Sequence, residues 1–252
     1  MAEILTSSGL RPVMGGPMNR IVNAVKLDFR TGKFYLSMYP ILFLVALGIG
    51  ALVKMPIFTV ILTIVLGVFI SGGVFAISER NHGERLYGTL PLRRSDVVVG
   101  RYMFGLVIGL GATVVAGLLG WLAATISGSD MGSLGPNRGT LTPGASYDLL
   151  IFWAAIGAAF LYYCFSTSVA FPIYFRFGFS KTYVLTMLPL YLVVLAALLV
   201  TRYFNVTLAT SSATQFFNNH IWLLPVIGVV GGVTLLVISI WISTRIYSHK
   251  EI

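Results

Sequence analysis

The sequence alternates between long apolar stretches and short polar ones. Six stretches, each near the roughly 20 residues that cross a bilayer, contain no Asp, Glu, Lys, Arg or His. They cover approximately Tyr35–Val53, Ile57–Ser78, Tyr102–Ile126, Leu149–Phe175, Tyr183–Thr201 and Ile221–Thr244. Only helices or closed barrels satisfy backbone groups in lipid, and the strict alternation of barrel strands is absent. The pattern therefore predicts an all-α membrane protein with six transmembrane helices.

The composition agrees with a membrane protein. Of the 252 residues, 57% are hydrophobic and 10% are charged, whereas soluble domains carry about 25% charged residues. A net charge of +9 could suit nucleic acid, but the basic residues lie in short segments beside apolar spans. The one cysteine, Cys164, excludes an intramolecular disulfide and a cysteine-based metal cluster, and we interpret it as a packing residue.

The basic residues also set the orientation. Fourteen of the seventeen Lys and Arg residues lie on one side of the six predicted spans. The positive-inside rule places that side, with both termini, in the cytoplasm. We divide the chain into a cytoplasmic tail with an interfacial helix (residues 1–34), one transmembrane domain (35–245) and a C-terminal tail (246–252).

Apolar residues in the N-terminal part recur at the spacing of an α-helix. Met18, Val22, Val25 and Phe29 recur at helical spacing, with basic residues on other faces. This pattern is typical of a short amphipathic helix lying in the headgroup region. We interpret it as a juxtamembrane anchor or as an elbow helix that braces the first span.

Chemistry-bearing groups are scarce inside the spans. No carboxylate lies within a span, no phosphate-binding GxxxxGK[ST] loop occurs, and the three histidines are scattered. The sequence therefore predicts no catalytic residue, no metal site and no cofactor in this chain, and an ATP-driven process would need a second polypeptide. Three classes of protein stay open at this point: the membrane subunit of an ATP-driven transporter, an ion-coupled secondary transporter or channel, and a membrane-bound enzyme or assembly scaffold.

The segment 79–101, between spans two and three, is the longest polar segment between two spans. It contains five of the basic and three of the acidic residues. It also contains apolar residues, Leu86, Tyr87 and Leu90 among them, and such a cluster outside the bilayer favours a protein or interfacial partner. A solvated loop with membrane-anchoring arginines is the alternative.

Small residues mark a helix contact in span three. They recur at spacings of three or four residues and allow another backbone to approach closely. They are Gly105, Gly109, Ala112, Ala116 and Gly120. Packing within one protomer is the favoured interpretation, and a dimer interface is the alternative.

Two segments carry a family resemblance. Thr89–Tyr102, which reads TLPLRRSDVVVGRY, resembles the cytoplasmic hallmark of ABC-2 type transporter permeases, and FPIYFRFG at Phe171–Gly178 resembles the end of their fourth span. Glu79 and Glu84 match the family's acidic positions, and Pro91 and Arg94 match its turn. Arg93 departs from the pattern, because the family more often has a small polar residue there.

The resemblance implies a fold, partners and site residues. Two six-helix subunits, identical or different, would pair with two ABC ATPase subunits that hold ATP and Mg. The segment between spans two and three would form a cytoplasmic coupling helix that contacts the ATPase through Glu79, Glu84, Leu86, Tyr87, Leu90, Pro91 and Arg94. The substrate would pass between the protomers, beside Thr59, Thr63, Phe69 and Ser71 of span two and Thr186 and Tyr191 of span five.

The resemblance also implies a class of substrate. The small-permease branch of the family is similar to bacterial exporters of peptides, bacteriocins and hydrophobic drugs. We therefore expect the membrane subunit of an ATP-driven exporter for an amphipathic or apolar substrate. Its location would be the bacterial cytoplasmic membrane, where it would be a multi-pass protein.

Overall fold

A computed structural model describes residues 17–80, 94–129, 145–182 and 222–248, with the single positions 184, 189 and 191. Within these residues the chain is helical and no strand occurs. The helices are α1 (Pro17–Val53), α2 (Pro56–Arg80), α3 (Arg94–Ser127), α4 (Ala145–Phe177), α5 (Phe179–Thr182) and α6 (Leu223–Ser248). The all-α prediction is confirmed for this part of the chain.

Four of these helices contain a stretch long and apolar enough to cross a membrane. The stretches are Pro56–Arg80, Ser95–Ser127, Leu149–Phe177 and Pro225–Tyr247. They coincide with the predicted spans two, three, four and six. Most of the predicted fifth span and residues 81–93 lie outside the described residues, so that span and the coupling helix stay predictions.

The first helix differs from its prediction. The sequence predicts an interfacial helix followed by a separate span, but α1 continues without a break from Pro17 to Val53. Its continuous apolar part, Tyr39–Val53, is shorter than the other spans. No proline interrupts α1 before Pro40, and Gly32 near the expected boundary weakens a helix without ending it.

The predicted apolar face of this N-terminal part packs on the bundle. Val25 and Phe29 lie against a cluster of buried side chains from α2 and α3. The rings of Phe29 and Phe104 meet edge to face with centroids 4.8 Å apart, a geometry that aromatic pairs prefer. Val25 and Phe29 therefore contact protein side chains, and these contacts fix α1 beside α2 and α3.

A tight turn joins α1 to α2. Lys54 has φ of +57°, and the N–H groups of Lys54 and Met55 donate to the carbonyls of Ala51 and Gly50. These two bonds form a Schellman motif, which satisfies carbonyls that the end of a helix leaves free. Pro56 then begins α2, where its fixed φ suits the first helical position.

α2 and α3 lie at the centre of the described helices. One buried cluster joins them to α1, and a larger one joins them to α4 and α6. Among membrane helices close packing, rather than exclusion of water, supplies most of the attraction. The centre is accordingly built of aromatic rings that lie beside small residues.

α4 and α6 run parallel and meet closely. A Cβ atom on Gly228 would lie 2.4 Å from the carbonyl oxygen of Gly157, and one on Gly157 would lie 2.4 Å from the Cα of Pro225. Buried Cys164 lies against Gly232 one turn further along α6. The two glycines therefore allow the backbones to approach more closely than larger residues would.

Candidate functional site

The functional candidates gather at the end of the bundle where α2 and α4 finish and α3 begins, here called the Glu79 end. Glu79 Oε2 accepts hydrogen bonds from the backbone N–H of Phe179 at 2.7 Å and of Ser180 at 2.9 Å. The acceptor and donors are about one hundred residues apart in the chain. We call Glu79, Gly178, Phe179 and Ser180 the clasp.

The clasp depends on how α4 ends. Gly178 has φ of +83°, and its N–H donates to the Tyr174 carbonyl at 3.0 Å. This single bond closes an αL motif, a conformation in which a side chain would be strained. The chain thus turns at Gly178 and presents the first N–H groups of α5 to Glu79, because a helix start cannot satisfy those donors internally.

Electrostatics favour the same contact. A carboxylate at the first turn of a helix is attracted by the partial positive charge of its free N–H groups, and the positive charge of Lys181 adds to that attraction. Glu79 itself is exposed, so water weakens the interaction. The clasp therefore sets the position of the turn more than it stabilises the fold.

Arg101 lies beside the clasp, near the start of α3. Its Nη2 donates to the Ser78 hydroxyl at 2.7 Å, and its guanidinium lies 4.4 Å from the ring centroid of Phe75 and 5.7 Å from that of Phe175. The residue is only 9% exposed. Aromatic faces attract a cation, so the arginine joins the end of α2 to the start of α3 and to α4.

An aromatic cluster continues from Arg101 into the bundle. Phe75 of α2 lies at its centre, with three rings of α4 at centroid distances of 5.0–5.2 Å. Further ring contacts reach α3 and α6. The cluster consists of Phe75, Tyr102, Phe171, Tyr174, Phe175 and Tyr247. Four helices therefore meet in one cluster of packed, buried rings just inside the Glu79 end.

A chain of hydroxyl groups ties α6 to the same cluster. Ser239 Oγ donates to the Ser168 carbonyl at 2.7 Å, so it accepts from the Tyr102 hydroxyl, 2.6 Å away. The Tyr102 oxygen then accepts from Ser243, 2.7 Å away. The hydroxyls satisfy one another in a buried site, which avoids the cost of unpaired polar groups in the bundle.

Replacing Tyr102 by phenylalanine is expected to lower the free energy of unfolding by about 1–2 kcal/mol, because Ser243 loses its acceptor and Ser239 loses its donor while keeping the Ser168 carbonyl. Ser243→Ala should add little further loss in the same chain, since the two residues share one bond. Thr234→Ala, on the exposed face of α6, is the matched control. Unfolding in detergent measures the effect, and additive losses would contradict the shared network.

The predicted ATPase contacts are only partly within the described residues. Glu79 is present in the clasp, and Arg94 begins α3. The other five lie outside the described residues: Glu84, Leu86, Tyr87, Leu90 and Pro91. Their contact with an ATPase stays a prediction.

The predicted pathway residues differ in their exposure: some are buried inside the protomer and others are accessible to solvent or lipid. Thr59, Thr63 and Ser71 are at most 1% exposed inside this chain, and the Thr63 and Ser71 hydroxyls donate to carbonyls of α2 itself. Phe69 is half-buried, Tyr191 is exposed, and Thr186 lies outside the described residues. The described arrangement therefore brings the three hydroxyls into the protomer's interior.

The small-residue face of α3 lies against α2 and α4. A Cβ atom on Gly109 would come within 2.3 Å of the Tyr163 ring, and one on Gly120 within 2.9 Å of Val60 and Phe152 atoms. Tyr163 also donates its hydroxyl to the Gly105 carbonyl at 2.5 Å. Ala112 and Ala116 are buried on the same face. In this chain the face is covered by the protomer's own helices.

Several site residues were not singled out from the sequence. Arg101 and Tyr102 were noted only as members of the segment that resembles the family. No sequence pattern distinguished Ser239 and Ser243 from the other residues of their span. Their spacing of four residues on α6 indicates a shared helix face, but one apolar helix contains many such pairs. Gly178 offered a signal, because glycine after an apolar helix with a basic last turn is typical of a C-terminal cap.

The comparison with known families covers nearly the whole of the described bundle. A family model described as ABC-2 family transporter protein matches residues 25–248. The chain belongs to the ABC-2 transporter family. The match includes both ends of the segment 79–101 and all of the clasp. No curated protein and no solved structure shows a significant match.

Membership settles the class of the protein. ABC-2 permeases are membrane subunits of ABC transporters, so this chain is a multi-pass membrane transport subunit, a class that is normally non-catalytic. The family implies an ABC ATPase partner. The Glu79 end, where polar side chains connect four helices, is the candidate place for communication with that partner.

Proposed function

We propose that this chain is the membrane subunit of an ATP-driven exporter, in which the Glu79 end receives movement from an ABC ATPase. Two six-span protomers would form the pathway, and ATP with Mg would bind only in the ATPase subunits. The exported substrate would be amphipathic or hydrophobic: a peptide, a bacteriocin or a drug. The protein would lie in a bacterial cytoplasmic membrane with both termini and the Glu79 end in the cytoplasm.

One observation carries this proposal: both ends of the segment 79–101 are anchored in the bundle. Glu79 fixes the end of α2 to the α4–α5 turn, and Arg101 fixes the start of α3 to Ser78 and two rings. A partner that displaces the intervening residues therefore acts on α2, α3 and α4 together. Such anchoring suits a segment that transmits movement better than it suits a loose loop.

The ATPase would contact the intervening residues. The proposed contacts are Glu84, Leu86, Tyr87, Leu90, Pro91 and Arg94, with Glu79 at the edge of the surface. Apolar side chains at the centre would exclude water, and charges around them would fix the orientation of the partner.

The substrate route follows from α2 and the fifth span. Tyr191 is exposed and Phe69 is half-buried in the described arrangement, and we propose that both lie beside the route with Thr186. Thr59, Thr63 and Ser71 are covered by the protomer's own helices. They would line the route only in a second conformation, in which ATP binding separates the part of α2 that lies away from the Glu79 end from α3 and α4 while that end stays joined.

Reconstitution tests the division of labour. The purified chain alone is expected to hydrolyse no ATP and to move no substrate, because it contains no phosphate-binding loop. Liposomes that contain the chain and its ATPase should transport a hydrophobic peptide only with ATP and Mg. An ATPase variant without its catalytic carboxylate is the control. Transport by the chain alone, driven by an ion gradient, would contradict the proposal and indicate a secondary transporter.

A further inference from the structure

The clasp joins two parts of the chain that the sequence keeps apart. Glu79 is the penultimate residue of α2, immediately before the segment that the ATPase would contact. Phe179 and Ser180 begin α5, immediately before the predicted fifth span. The carboxylate of Glu79 is therefore a direct link between the end of α2 and the start of α5.

A second contact holds the same turn against α2. The Phe179 ring packs on Tyr174 with centroids 5.1 Å apart. A Cβ atom on Gly72 would lie 3.4 Å from that Phe179 ring, so the ring rests beside the α2 backbone. One contact is polar and lies at the helix end, and the other is apolar and lies two turns earlier. Two separated contacts fix both position and direction of the turn.

The turn is shaped to receive the carboxylate. A Cβ atom on Gly178 would lie 3.2 Å from Glu79 Oε1, tighter than ordinary van der Waals contact, and φ of +83° already disfavours any larger residue. Glycine thus allows Glu79 to reach the two N–H groups. Because Glu79 is exposed, water can replace the carboxylate, so its loss should leave the turn held by the Phe179 contact alone and let its direction vary without unfolding the bundle.

We propose that Glu79 is a positioning residue that carries movement of α2 into the fifth span, rather than a residue that holds the ATPase. The inference rests on the proposed function, because it needs an ATPase that displaces the segment next to Glu79. When α2 shifts, the carboxylate draws the start of α5 with it. α2 and the start of the predicted fifth span, which both lie beside the proposed substrate route, then move as a unit.

Three variants with one control test the proposal. Glu79→Ala should lower the substrate transported per ATP by about tenfold, and Glu79→Gln by about threefold, because a neutral acceptor forms weaker bonds than a carboxylate. Gly178→Ala should resemble Glu79→Ala and add little to it in the double variant. Arg80→Ala, the exposed neighbour on α2, should transport like the parent.

Spin labels at Arg80 and Val184, two exposed positions on either side of the clasp that take no part in it, measure the link without the ATPase. Cys164 is buried and is replaced by serine in all labelled chains. The parent should give one narrow distance distribution, and Glu79→Ala a broad one. This measurement stays valid even if the chain proves not to be an exporter.

Two outcomes would overturn the inference. An unchanged distance distribution in Glu79→Ala, with transport per ATP like the parent, would show that the clasp transmits nothing. Loss of ATPase co-purification in Glu79→Ala, with the distribution still narrow, would show that Glu79 binds the partner directly. Failure of the parent chain to bind any ATPase is a different result. It would contradict the proposed function, whereas the broader distance distribution of Glu79→Ala would still be observed.

Discussion

Gly228→Ala is expected to lower the free energy of unfolding by about 3 kcal/mol, the upper part of the range for overpacked sites. The new Cβ would lie 2.4 Å from the Gly157 carbonyl oxygen and 2.8 Å from its carbon. Backbone cannot rotate away as a flexible side chain does, so α4 and α6 must separate. That separation would also stretch the hydroxyl chain through Ser239.

Gly231→Ala is the matched control on the same helix, three residues further along. Its Cβ would lie 3.5 Å from the Leu161 Cδ1 atom, which is ordinary contact. The control should therefore unfold within about 0.5 kcal/mol of the parent. Unfolding of both variants in detergent, with the yield of monodisperse protein, measures the difference. Equal stability of the two variants would contradict the close approach of α4 and α6.

The double change Tyr87→Ala and Leu90→Ala is expected to have the largest effect on assembly. Truncation of a buried interfacial anchor typically costs 2 kcal/mol or more, which is about thirtyfold in affinity. Helix content and membrane insertion should stay like those of the parent, because both residues lie outside the apolar spans. The affinity of the purified ATPase for chains in lipid nanodiscs measures the loss.

Leu118→Ala with Trp121→Ala is the matched control for that experiment. Both residues are exposed on α3, inside the apolar span, and together they remove comparable apolar surface. These changes should leave ATPase affinity unaltered. If the double change at Tyr87 and Leu90 also leaves affinity unaltered, the segment 79–101 is a solvated loop and the ATPase binds elsewhere.

The positions of four membrane spans could be predicted from the sequence. Long uncharged stretches coincide with α2, α3, α4 and α6, because an uncharged stretch that crosses lipid satisfies its backbone groups as a helix. The continuity of α1 was not readable, since its polar first half looked like an interfacial element. That half is held in place by contacts such as Phe29 on Phe104, which depend on packing between distant helices.

The candidate site was readable only in outline. Glu79 was recognised as an acidic residue at the end of a span, but its partners follow about one hundred residues later. Tyr102 and Ser239 meet across an even longer separation. A single sequence indicates which residues share a helix face and does not indicate which faces meet. The clasp and the hydroxyl chain therefore required the packed bundle.

Photocrosslinking gives the most direct test of the central claim, that the Glu79 end is where the ATPase acts. A photoreactive phenylalanine analogue would replace Tyr87 in membranes that contain the ATPase, and Ser133 in a separate chain. Ser133 lies between predicted spans three and four, which the positive-inside rule places on the side opposite the cytoplasm. We expect an adduct between the chain and the ATPase from position 87 and none from position 133. An assembled complex that gives no adduct from position 87, or one that gives it from position 133, would contradict the account.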